Sequence, residues 1–220
     1  MERDDIRRLA NTSIENGRPV QWFEELYALA QRDTDVVPWA DLEPNPHLMS
    51  WLATDHGVNL TGRALTIGCG LGDDAEELQL RGLQTTAFDV AESAVAWCKE
   101  RFPDTAVEYT VADLFAPPDS WSQAFDFVFE CYTVQSLPLT VRARAIAALS
   151  TFVRPGGHLL LVSRGRDTTD DPGQLPWPLT QDDLQPLQRE FETLTFDDFL
   201  DDEDPPVRRF RVLLRRSDER

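Results

Sequence analysis

Between Arg63 and Ser163 the chain repeats one texture: a short apolar run, a stretch with helical character, then another apolar run. The runs are Ala64–Ile67, Gln84–Asp89, Ala106–Val111, Phe125–Glu130 and His158–Ser163, and helices are expected over Asp73–Arg81, Ala91–Arg101 and Val141–Phe152. Alternation of this kind predicts an α/β fold, a doubly wound parallel sheet with helices on both faces. A further helix is expected after Asp182. It is followed by an apolar run near Leu194 and another from Val207 to Arg215, and the short connection DDEDPP (Asp201–Pro206) between them suits an antiparallel pair.

The sharpest local signal is LTIGCGLGDDAEEL, Leu65 to Leu78, in which Gly68, Gly70 and Gly72 turn an apolar run into a helix. Such a turn lets the backbone approach a ligand where a Cβ would collide, and the start of the helix offers free N–H groups. Asp89 ends the next run about 20 residues on, the position from which an acid reaches both hydroxyls of a bound ribose. A nucleoside-containing cofactor is therefore expected. The third glycine comes too early for the G-x-G-x-x-G spacing of dinucleotide sites. Asp73 and Asp74 would also repel a pyrophosphate while suiting an ammonium and a sulfonium. NAD is disfavoured on both counts.

These segments together resemble the class I S-adenosylmethionine-dependent methyltransferases. The resemblance rests on LTIGCGLG, on AFDV ending at Val90, on VADLF around Asp113, on FDFVFE running into CYTVQSLP, and on FVRPGGHLLLV. It covers roughly Ala64 to Ser163, and the final run matches the family's seventh strand. It implies a Rossmann-like, seven-stranded sheet, mostly parallel with an antiparallel last strand, and S-adenosyl-L-methionine as cofactor. The implied cofactor residues are Gly68, Cys69, Gly70, Gly72, Asp73, Asp89, Val90, Asp113, Leu114 and Glu130. One departure stands out: Thr66 occupies the place, two residues before the first glycine, where the family usually has an acid, and Asp73 is the expected substitute. The acidic pair, the Trp22 helix and the PWADLEPNP loop also loosely resemble the thiopurine and thiol methyltransferase branch.

The first sixty residues read as helices and turns, so the chain is expected to be one domain with residues 1–62 as a helical cap or lid and 63–220 as the cofactor-binding sheet and acceptor-side elements. Pro19–Ala30 is expected to be an amphipathic helix carrying Trp22, Leu26 and Leu29 on one face, with Pro19 in its first turn. Thr34–Pro46 reads as an ordered loop holding Trp39, and a second helix is expected from Pro46 to about His56. Ligands in open parallel sheets bind past the carboxyl ends of the strands. Candidate acceptor contacts are therefore Trp22, Tyr27 and Trp39 from the cap, Tyr132 and Gln135 after the fourth strand, and Arg164, Arg166 and Trp177 after the fifth. His47, His56 and His158 offer no clear base, so no catalytic side chain is assigned.

A formal charge of −18, from 39 acidic against 21 basic residues, argues against nucleic acid and anionic membrane surfaces as partners. No apolar run approaches the roughly 20 residues of a membrane span, and the charged start MERDDIRRLA is unlike a signal peptide, which points to the cytoplasm. Cys69, Cys98 and Cys131 lack disulfide or zinc spacing and are expected as free thiols, with no metal site. The expected function is methyl transfer to a small-molecule acceptor, a thiol or other soft nucleophile slightly favoured. The alternatives are O- or N-methylation of a small metabolite, or a non-catalytic sensor of the cofactor or its demethylated product. Oligomeric state is not legible.

Overall fold

The computed structural model describes residues 2–218. Its strands are β1 (Arg63–Ile67), β2 (Gln84–Asp89), β3 (Glu108–Val111), β4 (Phe125–Cys131), β5 (Val153–Arg164), β6 (Phe191–Leu200) and β7 (Arg208–Arg216). They form a seven-stranded sheet in the order β3-β2-β1-β4-β5-β7-β6. Strands β1 to β5 pair in parallel, and β7 runs antiparallel to both β5 and β6. Strand β5 begins at Val153, earlier than the expected His158. The segment Val153–Gly157 joins the strand because Val153 pairs with Phe125 before a register shift brings His158 opposite Phe127.

Side-chain alternation divides each central strand between two cores, as the period of two requires. Leu65, Ile67, Val128, Leu159 and Leu161 face helix α7 (Leu139–Phe152), whose Ala145, Ile146, Leu149 and Phe152 are buried against them. Ala64, Phe127, Phe129, Leu160 and Val162 face the opposite way, toward Leu78 of helix α5 (Asp73–Leu80) and a helix from the N-terminal region. That helix, α3 (Pro46–Leu52), inserts Leu48, Trp51 and Leu52 into the sheet core, with Trp51 stacked on Phe127 at 5.3 Å and 9°. It stops at Leu52 rather than running to His56, and a separate turn of helix, α4 (Asp55–Val58), follows.

The N-terminal sixty residues therefore do two jobs. Helices α1 (Arg3–Glu15) and α2 (Gln21–Ala30) pack on one another through Ile6, Ala10, Trp22 and Leu26. Tyr27 and Ala30 carry α2 onto Ala91, Ala94 and Trp97 at helix α6 (Glu92–Arg101). Glu24 accepts from the Ser93 backbone N–H (2.9 Å) and hydroxyl (2.6 Å), tying α2 to the start of α6. Two details differ from the sequence reading. The helix starts at Gln21, after the Pro19 turn, and Leu29 points to solvent, 62% exposed, because Tyr27 and Ala30 take the buried face.

Candidate functional site

The strand order reverses between β1 and β4, and open parallel sheets have their crevice at such a point, outside the carboxyl ends. The register brings those ends level: Ile67 lies beside Phe88 and Glu130, and Asp89 beside Val111. A cavity of about 630 Å³ opens there, walled by the strand ends below and by α1, α2 and the Trp39 loop above.

The glycine loop forms the cavity floor. Gly68 and Gly72 have φ of +59° and +93°, and a Cβ on either would meet Thr133 Oγ1 at 2.3 Å or the Tyr109 hydroxyl at 2.4 Å. Only glycine satisfies both demands. Asp89 braces the loop from the next strand: Gly70 N–H donates to its Oδ2 (3.1 Å) and Ala91 N–H to its Oδ1 (2.9 Å). Burial raises the Asp89 carboxyl to about 6, against the lowering effect of those N–H groups. Asp113 holds the Phe115 N–H on Oδ1 (2.8 Å), and its other oxygen makes no hydrogen bond among the described residues. Leu114 and Phe88 add apolar wall beside it.

Above the loop, Trp39 Nε1–H donates to the Tyr27 hydroxyl oxygen at 2.7 Å, and a Cβ on Gly70 would lie 3.2 Å from that oxygen. Burial, then the nearby Asp89, raises the Tyr27 pKa well above its ordinary value, so its hydroxyl keeps its proton. Tyr132 sits at the end of β4 with φ +62°, a strained conformation for an aromatic residue, under the Arg209 guanidinium at 4.8 Å.

Gly68, Cys69, Gly70, Gly72, Asp73, Asp89, Val90, Asp113 and Leu114 all lie on the cavity wall, as do Trp22, Tyr27, Trp39, Tyr132, Gln135 and Arg164. Three other expected contacts lie elsewhere. Glu130 is fully buried beneath the floor, its Oε1 accepting the Val134 N–H at 2.9 Å, because the β-strand alternation turns it to the same face as Val128. Arg166 is half-buried away from the cavity wall and donates through Nη1 to the Asp167 and Asp170 carbonyls. Trp177 packs on the cluster between α1 and α2. Asp73 faces the cavity but is gripped by the Arg101 guanidinium at 2.7 and 2.8 Å, a fork that leaves little of its charge for a ligand ammonium.

The carboxylate beside it is different. Asp74 accepts the Asn45 N–H at 2.7 Å on one oxygen, and its other oxygen makes no hydrogen bond among the described residues. Burial first, then the neighbouring Asp73, raises its carboxyl to about 7. The Cys131 thiol is pushed up by burial and then by Asp74, which places this carboxylate on the β4 side of the cavity. Asn45, Arg209 and Thr133 also line the site without any local sequence signal. Among the described residues no group of His, Cys, Asp and Glu is arranged to hold a metal ion.

Residues 64–157 match the methyltransferase domain family. The match spans the segment in which the resemblance to class I S-adenosylmethionine-dependent methyltransferases lies. A ubiquinone biosynthesis O-methyltransferase of Marinobacter nauticus is 29% identical over 150 residues, 64% of this chain and 60% of that protein. Hemagglutinin 1 of Eikenella corrodens is also 29% identical, over 143 residues, 62% of this chain and 46% of that protein. The chain thus spans about half the length of these relatives. The N-methyltransferase NodS of Bradyrhizobium japonicum, solved with S-adenosyl-L-homocysteine, superposes with a TM-score of 0.65 at 19% identity, covering 87% of this chain and 98% of NodS.

The donor set fits the cofactor of this class. Asp89 and Asp113 present acceptors to the cavity without a cation beside them, as ribose hydroxyls and an adenine amine require and a phosphate would not tolerate. The cationic side chains on the wall, Arg3, Arg7, Arg164 and Arg209, come from α1, β5 and β7 instead of the glycine loop.

Proposed function

We propose that the chain transfers a methyl group from S-adenosyl-L-methionine to an oxygen or nitrogen nucleophile of a small molecule. The observation that carries this reading is Asp74, a carboxyl of pKa about 7 on the acceptor side of the cavity with one oxygen unengaged. A general base works best when its pKa lies near the operating pH. Hydroxyl and amine acceptors must lose a proton, whereas a thiolate needs only desolvation. The names of the relatives, an O-methyltransferase and an N-methyltransferase, support the same direction, and neither the thiol preference nor the sensor alternative gains support from them.

When bound, the cofactor supplies an electrophilic methyl on a sulfonium, so the protein's own task is alignment and exclusion of water. Asp89 would hold the ribose hydroxyls of the cofactor and the Gly68–Gly72 backbone its amino-acid portion. Tyr27 and Trp39, fixed by their mutual hydrogen bond, roof the site and keep water from the reacting atoms. Asp74 takes the acceptor proton on its unengaged oxygen while the Asn45 N–H holds the other.

The test is a panel of catechol, aniline and thiophenol with methyl-labelled cofactor. Label should enter catechol or aniline, kcat/KM should rise with pH through about 7, and Asp74→Asn should abolish that rise while S-adenosylhomocysteine still binds. Transfer to thiophenol alone, or a pH profile unchanged in Asp74→Asn, would overturn the assignment.

A further inference from the structure

Arg164 ends β5 directly opposite Arg209 in the antiparallel β5–β7 register. Like charges facing across a strand pair are destabilising unless each is answered. Arg209 is answered: Asp201 lies 2.5 Å from its Nε, Glu203 accepts from its Nη2, and its guanidinium covers the Tyr132 ring. Arg164 is not. Among the described residues no carboxylate pairs with it, and its Nε is buried without a hydrogen-bond partner.

The backbone of Arg164 is held firmly for a residue with an idle side chain. Its N–H donates to Gln135 Oε1 at 2.6 Å, and its carbonyl accepts the Leu179 N–H at 2.9 Å. The side chain lines the cavity, where burial first, then the facing Arg209, act against its charge and the more distant field of Glu203 offsets them only in part. Arg3 of α1 lines the same region and also pairs with no carboxylate among the described residues. A chain with 39 acids and 21 bases does not lack counter-ions. None of the cavity's acids pairs with it among the described residues: Glu203 belongs to Arg209, Asp73 to Arg101, Asp74 holds the Asn45 N–H, and Asp89 and Asp113 serve the nucleoside end.

We propose that Arg164, supported by Arg3, is a binding site for a carboxylate on the acceptor, so that the protein selects small acids carrying an apolar body. A guanidinium presents a planar fork that matches a carboxylate with two parallel hydrogen bonds. Leu175 and Tyr132 supply the apolar wall beside it. The ligand is called an acceptor on the strength of the methyltransferase reading. The arginine site itself stands on the unpaired guanidinium. The other source of a carboxylate in such a site is the methionine portion of the cofactor, and the experiment separates the two.

Benzoate and its neutral counterpart benzamide are titrated into the full chain, with and without saturating S-adenosylhomocysteine. Benzoate should bind at least about tenfold more tightly than benzamide. Arg164→Gln should erase that preference, Arg164→Lys should keep part of it, and the affinity for S-adenosylhomocysteine should stay within about twofold of the parent in both. If Arg164→Gln does not fold, the partial loss in Arg164→Lys carries the same reading. Equal affinity for the two probes, including no binding of either, overturns the proposal. So does a loss of about tenfold or more in S-adenosylhomocysteine affinity in either variant, which would give the guanidinium to the cofactor. If the parent chain fails to bind S-adenosylhomocysteine at all, the methyltransferase reading falls, and the benzoate comparison without it still judges the arginine site.

Discussion

Asp89 shows how one side chain can line the cavity and brace the fold together. Its oxygens hold the N–H groups of Gly70 and Ala91, so this acid of the cavity wall is also the clasp between the glycine loop and the start of α6. Asp89→Ala should weaken S-adenosylhomocysteine binding at least about tenfold in calorimetry. It should also lower the melting temperature, because two buried N–H groups lose their acceptor at about 1–3 kcal/mol each. Glu130 makes a different case, an acid fully buried beneath the cavity floor. Burial raises its carboxyl from 4.5 to about 7, and its Oε2 has no partner. The folded-state pKa lies above the unfolded one, so the stability it contributes is complete below about pH 4.5 and is lost as pH rises through about 7. Glu130→Gln keeps the acceptor for Val134 N–H and cannot ionise. Relative to the parent, it should gain on the order of 2–3 kcal/mol between about pH 5 and pH 8 in urea denaturation.

At the scale of elements, the N-terminal helices have separate energetics. Helix α3 belongs to the sheet: Leu48, Trp51 and Leu52 are buried against Phe127, Phe129 and Leu160. Trp51→Ala should destabilise the chain by about 3–5 kcal/mol, and truncation to Asn59 should abolish the cooperative melt. Helices α1 and α2 instead roof the cavity. Tyr27→Phe removes the only acceptor that Trp39 Nε1–H has among the described residues, and this should reduce turnover more than it lowers the melting temperature. The edge strand β6 has its own device. Asp197 and Asp198 pair with Arg211 and Arg208 of β7, which puts charge on a strand whose outer edge would otherwise invite another chain.

For the whole molecule, the charge of −18 and the site act at different ranges. Self-repulsion among surface acids is long-range and screened by salt, so the melting temperature should rise between roughly 10 mM and 200 mM sodium chloride. Arg164 and Arg3 instead make a local positive field within a cavity bounded by acids. Among the described residues no helix is long and apolar enough to cross a membrane.

The sheet, the glycine turn and Asp89 at the next strand end are legible in the sequence because each depends on neighbours within a few residues: an apolar period, a positive φ, a strand terminus. The expected ranges of β2 and α5 agree with the structure to within one residue. Tertiary structure alone decides the rest. Arg101, held on α6, takes Asp73 and leaves Asp74 to the cavity, although the two acids are adjacent in sequence. Strand alternation sinks Glu130 below the floor. Antiparallel pairing sets Arg164 against Arg209, and α3 packs directly on the sheet while α2 packs on α6. Each of these depends on residues distant in the chain meeting across a strand pair or a helix face, and no local pattern records which of two chemically similar side chains will find its partner there.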